Sequence, residues 1–134
     1  MLDSAMASLG AKVVATTSSD ENHPPENIID GNSKTFWMST GLFPQEIIIR
    51  LAEPTNTSKV TVDSYNVRHL KVETNASQNA SNFKFAGEKE FDQTEGHLQS
   101  NTITISGTNA THLRFIITSG YDHFVSVHSV NIQI

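Results

Sequence analysis

From Gln45 onward, apolar residues recur at every second position, and no stretch carries the three- and four-residue spacing of an amphipathic helix. Ile47, Ile49 and Leu51 share one face of a strand, while Glu46, Ile48 and Arg50 take the other. Val60 and Val62 alternate with Thr61 and Asp63, and Leu70 and Val72 with Lys71 and Glu73. Phe83 and Phe85 mark a further strand, Ile103 and Ile105 alternate with threonine and serine, and Leu113, Phe115 and Ile117 share a face within Thr111–Ser119. Short strands with turn signals between them predict an all-β antiparallel sandwich or barrel, with a jelly-roll β-sandwich of about eight strands as the preferred form.

The punctuation completes the pattern. Lys12–Thr17 is a short β-type run, and Ser18–Pro25 ends in a double proline that bars helix and central strand alike. Glu26–Ile29 is expected to form one helical turn. Ala52–Thr57 with Pro54, Asn75–Asn82, Asn109 and Gly120–Phe124 read as turns or loops. In the last run, Val125 and Val127 have one parity and Val130, Ile132 and Ile134 the other, which calls for a bulge or bend near His128-Ser129.

A chain of 134 residues fits one domain. We expect residues 1–11 to be a flexible N-terminus and 12–134 a single domain. Charged residues make up 17%, below the globular norm of roughly 25%, and serine and threonine fill the gap, as on the polar faces of a β-rich protein. The net charge is -5 with the basic residues scattered, so nucleic acid is not an expected partner. The absence of cysteine excludes disulfides, thiolate metal sites and cysteine nucleophiles. No basic leader or apolar run of roughly 20 residues is present, so the expectation is a soluble intracellular protein with no direct membrane insertion. Four Asn-X-Ser/Thr triplets are close to what 11 asparagines and 29 serines and threonines produce by chance.

Chemistry concentrates at Asn27–Trp37. Asp30-Gly31-Asn32 turns the chain between Ile28-Ile29 and Phe36-Trp37. Asp30, Asn32 and Thr35 supply hard oxygen donors suited to calcium, although one carboxylate neutralises little of its charge; a plain Asx turn is the alternative. The six histidines form no His-Glu-X-X-His pattern, and no Gly-X-Ser-X-Gly or phosphate-binding glycine loop occurs, so no catalytic residues and no enzyme are expected. Phe43, Tyr121 and Phe124 lie in turn-like segments, where they either plug the open ends of the sandwich or anchor a partner.

The strings Ala15–Glu21, His23–Asn32, Thr35–Trp37, Phe43–Glu46, Thr94–Gly96, Leu113–Ile117, Asp122–Phe124 and Ser126–Val130 carry a resemblance over most of the chain. Together they resemble the intraflagellar transport protein 25 (heat shock protein beta-11) family, built on a galactose-binding-like, discoidin-like jelly roll. The resemblance implies a structural calcium ion, with Asp30 and Thr35 giving side-chain oxygens and Asn27, Asn32 and Ser129 mainly carbonyls. Many members of the wider superfamily place a glutamate where this chain has Ser129, which weakens the expected site. It further implies a non-catalytic adaptor of the intraflagellar transport B complex, paired with a Rab-like small GTPase, intraflagellar transport protein 27. Export of signalling proteins and a cytoplasmic and ciliary or flagellar location follow from the same resemblance. The competing expectation is a carbohydrate- or lipid-binding discoidin-like module that uses the loops at one end of the sandwich. The lack of cysteine and of a leader counts against it.

Overall fold

A computed structural model describes residues 11–16, 28–29, 36–38, 43–75, 83–94, 98–121 and 125–133. Seven strands occur among them: β1 (Lys12–Thr16), β2 (Trp37–Met38), β3 (Gln45–Tyr65), β4 (Val67–Asn75), β5 (Lys84–Glu90), β6 (Gln99–Gly120) and β7 (Ser126–Gln133). Every ladder is antiparallel. The pairing path is β2-β7-β3-β6-β4-β5, with β1 added to β3.

β3 and β6 organise the whole. They span 21 and 22 residues and pair along most of their length, through three register shifts between Arg50 and Lys59. The turns expected at Ala52–Thr57 and Asn109 are therefore not chain reversals. Thr55 pairs with Ala110 and Thr57 with Gly107, so the turn-prone residues of both strands face each other and the ladder bends as a unit. Pro54, which cannot donate to a ladder, sits within this irregular corner, where the missing N–H does least harm.

The bend makes two layers from one path. The first half of β3 and the second half of β6 join β1, β4 and β5, whereas the second half of β3 and the first half of β6 join β7 and β2. The expected faces hold: Ile47, Ile49, Leu113, Phe115 and Ile117 from one layer meet Val60, Val62, Ile103 and Ile105 from the other in a single buried core. Phe85 lies in a strand, as expected. It lies opposite Glu73 on the solvent side and is 57% exposed, while Phe91, just after β5, is fully buried.

The parity switch in the last strand resolves as expected. Asp63 pairs with Ser129 and Ser64 with Val127, so His128 is the extra residue of a bulge. Val125, Val127 and Val130 are all buried as a result. Ile28 and Ile29 form a 3-10 turn where one helical turn was expected. Of the residues 1–11 expected to be flexible, Ala11 is described and buried, and 1–10 lie outside the described residues, as do 76–82 and 122–124.

Candidate functional site

Both flanks of the Asn27–Trp37 stretch are anchored in the core. Ile28 and Ile29, at 1% and 3% exposure, stand at its start, and Trp37, fully buried, closes it by pairing with Val127 of β7. The Phe36 ring stacks on His128 at a centroid separation of 4.7 Å. A bulge flips one side chain out of the alternation, and here that side chain is the one that meets the early segment. Ser129 is the next residue, and its Oγ accepts from Asn131 Nδ2 at 3.1 Å. Asn27, Asp30, Asn32 and Thr35 lie outside the described residues. The five residues are oxygen donors with a single carboxylate, a set that suits a hard cation and not zinc. Among the described residues, no group of three or more His, Asp or Glu side chains is placed to hold a metal.

Two of the three aromatic residues singled out for a partner surface flank Gly120. Phe43 is half-buried against the core, and its ring edge closes over Gly120. The Tyr121 hydroxyl donates to the Phe91 carbonyl at 2.7 Å, its N–H donates to the Asn66 carbonyl at 2.8 Å, and the Arg68 guanidinium lies 5.9 Å from its ring centroid. Both residues therefore carry internal contacts at this end of the sandwich. Phe124 lies outside the described residues. Asn66, between β3 and β4, has a φ of 64°, the left-handed conformation that asparagine tolerates, where the chain passes from one layer to the other.

Two polar clusters were not anticipated. The Gln99 side chain, 2% exposed, bonds Ser64, both backbone groups of Val67 and the Asp92 carbonyl. Nothing in the local sequence around Gln99 marks it. On the outer face of the other layer, Arg114 is ion-paired with Glu46 and its Nη1 lies 3.2 Å from Glu73 Oε1, close enough for Coulomb attraction but without hydrogen-bond alignment. The Phe83 ring lies 5.5 Å from this guanidinium. All three charged residues have outward parity on their strands, a signal that becomes legible only once the register is known.

The F5/8 type C domain model matches residues 12–130. An intraflagellar transport protein 25 homolog of Homo sapiens is 47% identical over 132 residues, covering 98% of this chain and 92% of the human protein. The chain belongs to the intraflagellar transport protein 25 family. A Chlamydomonas reinhardtii intraflagellar transport protein 25 is 37% identical over 98% of this chain and 69% of its own length. Among solved structures, a family 32 carbohydrate-binding module of Clostridium perfringens, in complex with GalNAc-beta-1,3-galactose, superposes with a TM-score of 0.80 at 21% identity, covering 92% of this chain and 95% of the module. That likeness shows that this chain has a galactose-binding-like jelly-roll fold. At such identity it shows the fold alone.

Proposed function

We propose that the chain is a non-catalytic adaptor subunit of the intraflagellar transport B complex, paired with a Rab-like small GTPase, intraflagellar transport protein 27. In this reading it works in the cytoplasm and in the cilium or flagellum and supports export of signalling proteins. The observation that carries the reading is 47% identity, across nearly the whole chain, to a human protein named for intraflagellar transport. A rigid sandwich whose polar clusters are consumed in holding strands together suits a scaffold better than a reaction centre.

Calcium has a structural role in this proposal. Asp30 and Thr35 would hold it by side-chain oxygens and Asn27, Asn32 and Ser129 mainly by carbonyls, tying the early loop to the bulge of β7. The contact between Phe36 and His128 supports such a clasp, because it already brings the end of the loop beside Ser129.

The fold likeness to a galactose-binding module favours the one competing reading, a sugar-binding domain. Purification of the tagged chain from ciliated cells, with the attached proteins identified, separates the two. Recovery of the Rab-like GTPase with other transport subunits is expected. Micromolar binding of a simple sugar without the GTPase would overturn the adaptor reading.

A further inference from the structure

Lys12 of β1 and Arg50 of β3 are directly opposed in their ladder, and both are exposed. Like charges facing across a strand pair destabilise it. Among the described residues neither makes an ion pair, in a chain with 14 acidic side chains against nine basic ones. Two positions along the same face of β3, Ile48 lies opposite Ala15, and an open cavity of about 130 Å³ lies between Ala15, Thr16, Glu46, Ile48 and Arg114. Arg114 is neutralised there by Glu46, so the cavity offers room to an aliphatic side chain and not to an anion. The unpaired cations and the cavity beside Ala15 and Ile48 are neighbours on one face.

Among the described residues the edge beside them is open, and β1 pairs only with β3. Val14 is the bulged residue of that ladder and stands 48% exposed. The opposite edge of the same layer, β5, is guarded by exposed Lys84, Glu88, Lys89 and Glu90, the charged residues that discourage strand addition. β1, reading Lys-Val-Val-Ala-Thr, has a single charge at its start. The outer face of the other layer is also different in kind, with Lys59, Thr61, Thr102 and Thr104 and a hydroxyl contact between Thr61 and Thr102, as on a solvated sheet.

We propose that the open edge of β1, with the Lys12–Arg50 pair and the Ala15–Ile48 cavity, docks an extended segment of the GTPase partner that carries a carboxylate and an apolar side chain. Strand addition supplies main-chain bonds, and alternate side chains give the specificity. The carboxylate meets Lys12 and Arg50, the apolar side chain enters the cavity, and because both face the same side they stand two positions apart on the partner. The proposal rests on the adaptor reading above and places the contact on β1 instead of at Phe43 and Tyr121, whose contacts are internal.

The test uses the full chain and the purified Rab-like GTPase, with affinity measured by calorimetry. Lys12→Glu turns a like-charge pair into an opposite-charge pair with Arg50, so the variant is expected to melt no lower than the wild type yet bind about tenfold more weakly or worse. Ala15→Arg, which fills the cavity, is expected to lose a similar factor. Lys59→Glu, on the other layer, is expected to bind as the wild type does. If the wild type binds and either Lys12→Glu or a folded Ala15→Arg matches it within twofold, the β1 surface is overturned and the adaptor reading stands. If Ala15→Arg fails to fold, Lys12→Glu alone decides. If the wild type does not bind the GTPase, the adaptor reading and this surface fall together.

Discussion

Gln99 pairs with Val67 as a neighbouring strand would, its amide oxygen accepting from the Val67 N–H at 3.0 Å and its amide nitrogen donating to the Val67 carbonyl at 2.7 Å. The same amide accepts from Ser64 Oγ at 3.1 Å and donates to the Asp92 carbonyl at 2.9 Å. One side chain thus ties the end of β3, the start of β4, the segment after β5 and the start of β6. Every polar atom of the amide is satisfied, which is the condition for burying it without penalty.

Replacing Gln99 with Leu keeps a buried side chain of similar size but strands four partners at once. A stranded buried group costs about 1–3 kcal/mol, and relaxation and water recover part of the total, so the variant is expected to lose at least about 3 kcal/mol in urea unfolding. A loss below about 1 kcal/mol would show that the amide is not a staple.

Gly120 is required by its neighbours. A Cβ there would lie 2.7 Å from Phe43 Cζ, 2.9 Å from the Asn66 carbonyl oxygen and 2.9 Å from Val125 Cγ1. Gly120→Ala is expected to cost about 1–3 kcal/mol, as overpacking does. Combined with Phe43→Leu, which withdraws one of the three clashes, the two losses are expected to sum to more than the loss of the double variant, a coupling that a double-mutant cycle in denaturant reads directly.

The bulge makes an unusual prediction about deletions. Removing His128 leaves Val125, Val127, Val130 and Ile132 in unbroken alternation, so the cost is expected to stay near the loss of the Phe36 stack, about 1 kcal/mol. Removing Asn131 instead turns Ile132 from the core side toward solvent and is expected to cost about 2 kcal/mol more. Thermal unfolding of both deletion variants checks the order; equal losses would mean that parity is not what the bulge corrects.

For the proposed calcium clasp, the wild type is expected to melt higher in calcium than in chelator, because a ligand bound only by the native state stabilises it, by about 2.7 kcal/mol at a hundredfold excess over Kd. Asp30→Ala removes the only carboxylate of the donor set and is expected to abolish the difference. A wild type whose melting temperature ignores calcium would rule the clasp out.

Period-2 alternation was enough to assign Ile47, Ile49, Leu113 and Phe115 to one face and to place a bulge or bend near His128-Ser129, because successive side chains of a strand point to opposite sides by local stereochemistry. Local stereochemistry does not say which strands pair. Thr55 meeting Ala110 is what carries β3 and β6 through residues that read as turns, and Arg114 meeting Glu46 and Glu73 depends on the register of three strands far apart in the chain. Gln99 carries no local mark, since its partners come from three separate segments. The sequence by itself determined the β class, the inward faces of β3, β4 and β6 and the neighbourhood of the bulge in β7. Only the tertiary structure decided the strand order, the bent ladder, the need for glycine at 120 and the facing of Lys12 with Arg50, because each of these depends on contacts between residues distant along the chain.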